Sequence, residues 1–138
     1  MCIGMLLAKT LSAARILLSI PVVNTFTHQA CAGPILASHP LDVQEFPAGP
    51  ADDRPQVAHC GAPSVNVEVK LTGVDDDLVE AGGDPKGVLL VRGPPVGKVV
   101  AVNDDEYVDV ENDGVEWTNT GVGARVKANG SFVLTRSR

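Results

Sequence analysis

Residues 117–138 of this 138-residue chain read WTNTGVGARVKANGSFVLTRSR and carry the clearest local fold signal in the sequence. Two strand-like runs, RVKA and SFVL, flank the dipeptide Asn129-Gly130. Asn-Gly in this setting favours a β-hairpin with a two-residue type I′ turn, because both central residues of that turn need positive φ. We therefore predict strands at 123–128 and 131–135, with Gly130 at positive φ.

The composition indicates one β-rich domain. A length of 138 residues fits a single domain. With 14 glycines and 10 prolines, the chain exceeds the usual share of these residues, roughly 12%, and should contain many turns. The net charge is −6 and no basic run is present, which argues against a nucleic-acid partner.

Residues 1–20 are strongly apolar and predict a helix that ends before Pro21. Lys9 and Arg15 interrupt the run well short of the ~20 apolar residues that a membrane span needs. No clean cleavage site follows, so a signal peptide or anchor is the weaker alternative. A core-facing amphipathic helix fits four apolar residues at helical spacing: Leu7, Leu11, Ala14 and Leu18.

The remaining strands are predicted from hydrophobic periodicity. Residues 65–72 alternate between apolar and polar side chains, which is typical of a half-buried strand. Residues 88–91 form an apolar run bounded by Gly and Pro, which predicts a buried strand. Five prolines in 38–63 indicate a surface loop or linker, and the acidic triplet 75–77 indicates a solvated turn. The full set of predicted strands is 20–24, 65–72, 87–92, 107–110, 123–128 and 131–135.

Metal-binding patterns are weak in this sequence. Three cysteines without regular spacing argue against a disulfide framework and suit a reducing compartment. His28 with Cys31, or His59 with Cys60, does not match a zinc-ligand spacing, so turn histidines and buried thiols are the better interpretation. Residues 109–114 resemble the start of an EF-hand loop, but Thr120 stands where its closing glutamate should be. We assign no metal ligand.

Three segments, in order, resemble the adenylate-forming enzymes, the family of AMP-dependent acyl-CoA synthetases and ligases. PVVNTFTHQACAG at 21–33 is similar to the family's strand and adenine-binding loop, and KGVLLVRGP at 86–94 to its Gly-Glu-Leu/Ile-x-Val-Arg-Gly-Pro motif. Residues 117–136 resemble its Trp-x-x-Thr-Gly-Asp motif, which leads to an arginine before the hinge of a small lid domain. The resemblance runs from about residue 12 to residue 138.

The resemblance implies nucleotide-binding positions but no catalytic residue. Val122 replaces the family's ribose-binding acid, and no carboxylate lies between Asn24 and Leu41, where the family has its magnesium-binding glutamate. The family's ATP loop and lid lysine are expected outside this segment. The positions implied are Phe26 at adenine, Thr120, Gly121 and Val122 at the ribose, and Arg136 near the ribose and hinge.

The family also implies a fold. It is α+β and mostly β, with an N-terminal helix followed by a distorted, barrel-like antiparallel sheet of the synthetase large domain. We divide the chain into a helix, strand and adenine-loop-like segment at 1–37, a Pro-rich loop at 38–63, and a β subdomain at 64–138.

The family's reaction is ATP-dependent activation of a fatty or other carboxylic acid to acyl-CoA through an acyl-adenylate. The cofactors implied are ATP or AMP, Mg²⁺ and CoA, and the partners are a nucleotide and an acyl substrate. We expect a fragment or decayed paralogue, inactive as this chain alone. The alternative is a non-enzymatic β-domain interaction protein. The expected location is the cytoplasm, with membrane association or the peroxisome as alternatives.

Overall fold

The computed structural model describes residues 6–44, 57–97, 108–110 and 116–135. In these residues the chain is mostly β with an N-terminal helix, as the sequence predicts. Neither helix of the described residues has the length and apolarity needed to cross a membrane. The elements are α1 (Ala8–Leu18), β1 (Thr25–Thr27), β2 (Pro34–Ala37), β3 (Ala62–Pro63), β4 (Glu68–Thr72), α2 (Asp76–Glu80), β5 (Lys86–Arg92), β6 (Val108–Val110), β7 (Glu116–Val126) and β8 (Phe132–Thr135).

The described strands form two antiparallel sheets. The smaller sheet has the order β1-β2-β3, and the larger has the order β4-β5-β7-β6, with β8 also paired to β7. Strand β7 is central: β5 pairs along one edge, while β6 and then β8 pair along the other. The larger sheet curls into a half-barrel. This confirms the predicted barrel-like antiparallel architecture.

One hydrophobic core joins the two sheets. Side chains alternate across a strand, so Leu89 and Val91 of β5 face this core while Leu90 is buried on the opposite face of the sheet. The predicted buried strand at 88–91 is therefore confirmed, and it is covered on both faces. The fully buried core residues include Ile35, Leu36, Leu89, Val91 and Ala124.

The β7–β8 hairpin forms as predicted, but its turn type was predicted wrongly. Gly130 has φ +79°, as expected, whereas Asn129 is not among the described non-glycine residues with positive φ. Lys127 accepts a hydrogen bond from Gly130 N–H (2.9 Å) and donates one to the Ser131 carbonyl (2.9 Å). The loop is thus a three-residue connection in which a tight turn is followed by a left-handed glycine.

Replacing Gly130 with valine is expected to destabilise the protein by about 1–2 kcal/mol or more. The left-handed backbone at Gly130 brings a Cβ against its own carbonyl, and branching at that carbon adds to the strain. A Cβ there meets no other described atom within 4 Å, so the cost is conformational and not a packing clash. Chemical denaturation measures the loss, and an unchanged midpoint would contradict the observed turn.

Helix α1 is confirmed as an element, but its apolar face was only partly predicted. Ser19 ends the helix in a left-handed conformation (φ 52°), with its N–H bonded to the Arg15 carbonyl (3.0 Å). Of the four residues at helical spacing, Leu11 is buried but Leu18 is exposed. The helix packs through Ala8 and Leu11 onto Ala58, so within the described ranges the buried contacts of α1 come from its first turns.

Several short elements differ from the sequence prediction. The predicted strand at 20–24 is not a strand, and β1 forms directly after it. Residue Val65 is exposed in a turn with Asn66 at φ +65°, so β4 begins only at Glu68. Strands β2 and β3 were missed. The acidic triplet is solvent-exposed as predicted, but it begins the short helix α2, which Asp75 caps by accepting a hydrogen bond from Asp77 N–H (3.1 Å).

Candidate functional site

The segment implied to contact ribose forms a bulge in β7. Val88 of β5 pairs with Gly123 and Leu90 pairs with Asn119, so residues 120–122 lie opposite Leu89 alone. Glycine is suited to this bulge because Gly121 has φ +66°. The Asn119 side-chain oxygen also accepts a hydrogen bond from the Gly121 N–H (2.8 Å). The Thr-Gly pair of the motif therefore has a local structural role in shaping β7.

The hydroxyl of Thr120 forms its hydrogen bonds within this bulge. Its Oγ1 donates to the Leu89 carbonyl (2.8 Å) and accepts from the Val122 N–H (3.2 Å). Thr120 is buried, and a hydroxyl has only one proton to donate. The hydroxyl proton of Thr120 is therefore donated to a backbone carbonyl within the sheet.

The bulge turns the Val122 side chain into the protein. Val122 is 7% exposed and belongs to the same hydrophobic core as Phe26, which is 3% exposed. The structure therefore brings together two of the residues implied at the nucleotide, and it places both in the core. Gly121 is the exposed residue of the group, while Arg136 lies outside the described residues.

The adenine-loop-like segment after β1 is held against the segment that follows β5. The Ala32 N–H donates to the Pro95 carbonyl (2.9 Å), and the Gly97 N–H donates to the Ala30 carbonyl (2.8 Å). Cys31 also forms an isolated β-bridge with Val96. The first segment of the family resemblance therefore lies against residues 95–97, which directly follow the second segment.

The three histidines serve as turn formers, as the sequence predicts. In each case Nδ1 accepts a hydrogen bond of 3.2 Å from the backbone N–H two residues later: His28 from Ala30, His39 from Leu41 and His59 from Gly61. Across the described residues, no group of three or more His, Cys, Asp or Glu side chains could hold a metal ion.

The cysteines of the described residues are buried free thiols. Burial raises the pKa of Cys31, and it raises the pKa of Cys60 to about 11. A thiol with a raised pKa remains protonated at neutral pH and is a poor nucleophile. Neither residue is suited to covalent catalysis.

Sequence reasoning missed a polar network that joins three distant segments. Asn24 N–H donates to Ser38 Oγ (2.8 Å), and the Asn24 side-chain amide donates to the His59 carbonyl (3.1 Å). Gln44 Oε1 accepts from the His59 N–H (2.9 Å). Ser38, Gln44 and His59 are buried, so their partners must come from the protein. No sequence pattern could have identified these partners, since they depend on tertiary contacts.

Trp117 anchors a second missed cluster, on the outer face of the larger sheet. Lys70 Nζ lies 4.6 Å and the Arg92 guanidinium carbon 4.5 Å from the centroid of its ring, within the range of cation–π contacts. Arg92 also pairs with Glu68 (2.7 Å), its neighbour across β4 and β5. The family-like tryptophan thus covers the outer face of the sheet, away from Val122.

Comparison with solved structures supports the fold. The chain is similar to O-succinylbenzoate coenzyme A synthetase (MenE) from Bacillus subtilis, solved in complex with AMP, with a TM-score of 0.62 and 17% sequence identity. The similarity covers 95% of this chain and 24% of the synthetase, so the chain spans about a quarter of that protein's length. No protein-family profile and no curated protein sequence matches the chain. At this identity the comparison establishes the fold alone: the chain folds like part of an adenylate-forming enzyme.

Proposed function

We propose that this chain is a non-catalytic subdomain of the acid–CoA ligase type, with a degenerate nucleotide site. The observation that carries the proposal is the burial of Val122 in the hydrophobic core. The resemblance places an acid at this position, where it accepts hydrogen bonds from the ribose hydroxyls. Valine has no acceptor, and its side chain here contributes to packing.

The neighbouring positions support the same proposal. The proton of Thr120 is donated to the Leu89 carbonyl, so it is not available to a ligand while the bulge is intact. The Phe26 ring is buried in the core, whereas stacking on adenine needs an accessible face. A charge-assisted hydrogen bond contributes about 1.5–3 kcal/mol. Loss of the ribose contact alone therefore weakens nucleotide binding roughly 10-fold or more.

The segment between Asn24 and Leu41 lacks the group that the family's chemistry needs for magnesium. Mg²⁺ prefers oxygen ligands in octahedral geometry, usually including carboxylates, and this segment contains no Asp or Glu. The residues present do not fit a resident magnesium ion. CoA binding and fatty-acid activation belong to the family's reaction and are not proposed for this chain alone, whereas a cytoplasmic location is proposed from the family resemblance.

The proposal predicts no adenylation activity from the purified chain. With ATP, Mg²⁺ and a panel of saturated fatty acids and aryl acids, pyrophosphate release should equal that of a no-protein control. Positioned cations and charge-stabilising groups supply most of the rate enhancement in such reactions, and here valine replaces the acid at position 122 and no carboxylate lies between Asn24 and Leu41. Release that depends on both ATP and an acid, and that falls in a Thr120→Val variant, would contradict the proposal.

A second candidate, a non-enzymatic interaction protein, is favoured by a different observation. Several large apolar side chains at the end of α1 and on the segment after Ser38 are exposed. Exposed apolar patches mark interaction surfaces more often than single exposed residues do. The two candidates are compatible, because a chain can retain the scaffold and serve only in binding.

A further inference from the structure

The tip of the β7–β8 hairpin carries an amide side chain in a reactive setting. Residues 128–130 are exposed there, so water reaches them freely. Of the asparagines in the chain, Asn129 is the one that is followed by glycine. Asparagine is thermolabile, because the backbone nitrogen of the next residue can attack its side-chain amide. At Gly130 no Cβ obstructs that attack.

Ser131 directs two hydrogen-bond donors at the side-chain oxygen of Asn129. Its hydroxyl donates to Oδ1 at 2.7 Å, and its N–H donates to the same atom at 3.0 Å. Negative charge develops on this oxygen when a nucleophile attacks the amide carbon. Donors at about 2.7–3.1 Å from a developing oxyanion stabilise the intermediate in acyl-transfer sites. The two donors of Ser131 therefore activate the Asn129 amide for attack.

The attacking atom, the backbone nitrogen of Gly130, is held by one hydrogen bond. Its N–H donates to the Lys127 carbonyl (2.9 Å), and this bond must open before the nitrogen can turn towards the amide. The bond from Lys127 N–H to the Ser131 carbonyl (2.9 Å) lies on the strand side of the turn. Glycine changes its backbone conformation at little steric cost. The motion that the reaction needs is therefore confined to the tip, and the sheet stays folded.

We propose that Asn129 is a site of spontaneous deamidation in the folded chain, and that Ser131 promotes the reaction. The Gly130 nitrogen forms a bond to Asn129 Cγ and loses its proton to water, while the side-chain nitrogen leaves as ammonia. Water then opens the five-membered succinimide at either of its carbonyls and produces a carboxylate. In sum, an amide and water give a carboxylate and ammonium, with no oxidant or reductant.

Asn119 provides an internal comparison for this reaction. Its Oδ1 also accepts a backbone hydrogen bond, from the Gly121 N–H (2.8 Å). The residue that follows it is Thr120, which is buried and β-branched and lies within β7. The nitrogen of Thr120 is thus held in a strand and flanked by a bulky side chain. We expect Asn119 to persist under conditions in which Asn129 converts.

The two products should affect the hairpin differently. Aspartate at position 129 keeps an oxygen that can accept from both donors of Ser131. Isoaspartate runs the backbone through its side chain and makes it one carbon longer, which does not fit a three-residue connection. The change lies next to Phe132, whose N–H and carbonyl bond to Gly61 and Cys60 (2.9 and 2.8 Å). Isoaspartate should therefore lower the melting temperature, whereas aspartate should leave it nearly unchanged.

Incubation of the purified, folded chain at neutral pH and physiological temperature tests the proposal. Each product adds one negative charge to the net charge of −6, so ion exchange separates it from the starting chain. Peptide mapping by mass spectrometry should show position 129 converting about 10-fold faster than Asn119, or more. Equal rates at the two positions, or conversion only after unfolding in urea, would overturn the proposal. A glycan on Asn129 in protein from its own cells, which Asn-Gly-Ser permits in a secretory compartment, would also overturn it.

Two variants test the role of Ser131. Ser131→Ala removes one donor and should slow conversion about 3-fold or more in the folded chain. It should have no effect in urea, where the donors are no longer positioned, and Ser131→Thr should retain the rate because it keeps a hydroxyl. Gly130→Ala should slow conversion in both conditions, since its Cβ obstructs attack whether or not the chain is folded. If folded Ser131→Ala converts as fast as the unmodified chain or faster, the hydrogen bonds restrain the amide, and the proposal is wrong.

Discussion

Replacing Gly61 with alanine is expected to destabilise the protein by about 3 kcal/mol or more. A Cβ at this position would lie 2.2 Å from the Ala37 carbonyl oxygen and 2.5 Å from the Ser38 Cα. Both atoms belong to the backbone and cannot move aside as a side chain would. Gly61 also has φ +76°, which a residue with a Cβ adopts at a cost.

The position of Gly61 explains why the effect should be global. The Gly61 carbonyl accepts from the Phe132 N–H (2.9 Å), and the Phe132 carbonyl accepts from the Cys60 N–H (2.8 Å). These bonds connect the smaller sheet to the hairpin of the larger sheet. A displaced Gly61 therefore separates the two sheets that enclose the core.

Gly121→Ala is the matched control for Gly61→Ala. Gly121 has a similar φ of +66°, but a Cβ there would meet nothing within 4 Å. Its expected cost is about 1–2 kcal/mol, from the left-handed backbone alone. Urea denaturation gives the loss in free energy of unfolding for each variant. The loss in Gly121→Ala is the cost of the left-handed backbone, and the additional loss in Gly61→Ala is the cost of the clash. Equal losses would contradict the close approach of Gly61 to Ala37.

The second large effect is expected from Val122→Asp, the substitution that restores the family's acid. Because Val122 is buried in the core, the variant should lose about 3 kcal/mol or more at neutral pH and gain no ATP-dependent activity. Burial raises the pKa of the introduced carboxyl above its unfolded value of about 3.9. The loss of stability should therefore be smallest below that pH and should grow as pH rises through the folded pKa.

Val122→Asn is the control for charge at this position. Its side chain has nearly the size of aspartate but does not ionise, so its loss of stability should not follow the same pH dependence. Chemical denaturation at pH 4 and pH 7 measures the free energy of unfolding of both variants, and the change between the two pH values is compared. If Val122→Asp is as stable as the unmodified chain and binds ATP, then residue 122 faces a functional nucleotide site and not the core.

The parts of the fold that sequence patterns predicted correctly are those with strong local signals. The apolar run at 88–91 and the alternation over 65–72 depend only on neighbouring residues. The first lies within β5, and the second forms a strand over Glu68–Thr72, although the predicted start at Val65 is an exposed turn. The hairpin was predicted for the same reason. Its turn differs because Asn129 Oδ1 accepts hydrogen bonds from the Ser131 N–H (3.0 Å) and hydroxyl (2.7 Å), which an Asn-Gly rule does not consider.

The elements that sequence patterns missed depend on distant partners. Strand β3 contains only Ala62 and Pro63 and exists because it pairs with β2, which lies before the Pro-rich segment. The second half of α1 has the spacing of a buried helix, yet no described part of the chain covers it. Hydrophobic periodicity shows which residues can be buried, but the partner surface decides which of them are.

In the candidate site too, the sequence identified residues, whereas tertiary contacts decided where their side chains lie. The resemblance identified Phe26, Thr120, Gly121 and Val122, but residue types alone could not show which way each side chain points. The bulge opposite Leu89 sets the direction of Val122, and it arises from the pairing of β5 with β7. The Asn24–Ser38–His59 network was unpredictable for a similar reason, because its bonds span up to 35 residues of sequence.

Calorimetric titration of the purified chain with ATP and Mg²⁺ tests the central claim most directly, namely that packing has replaced the nucleotide site. With the acid absent at Val122 and no carboxylate between Asn24 and Leu41, we expect no saturable heat at millimolar nucleotide. Thr120→Val serves as a comparison, since it should change stability but leave the titration flat. Saturable binding at micromolar concentration that Thr120→Val abolishes would contradict the account.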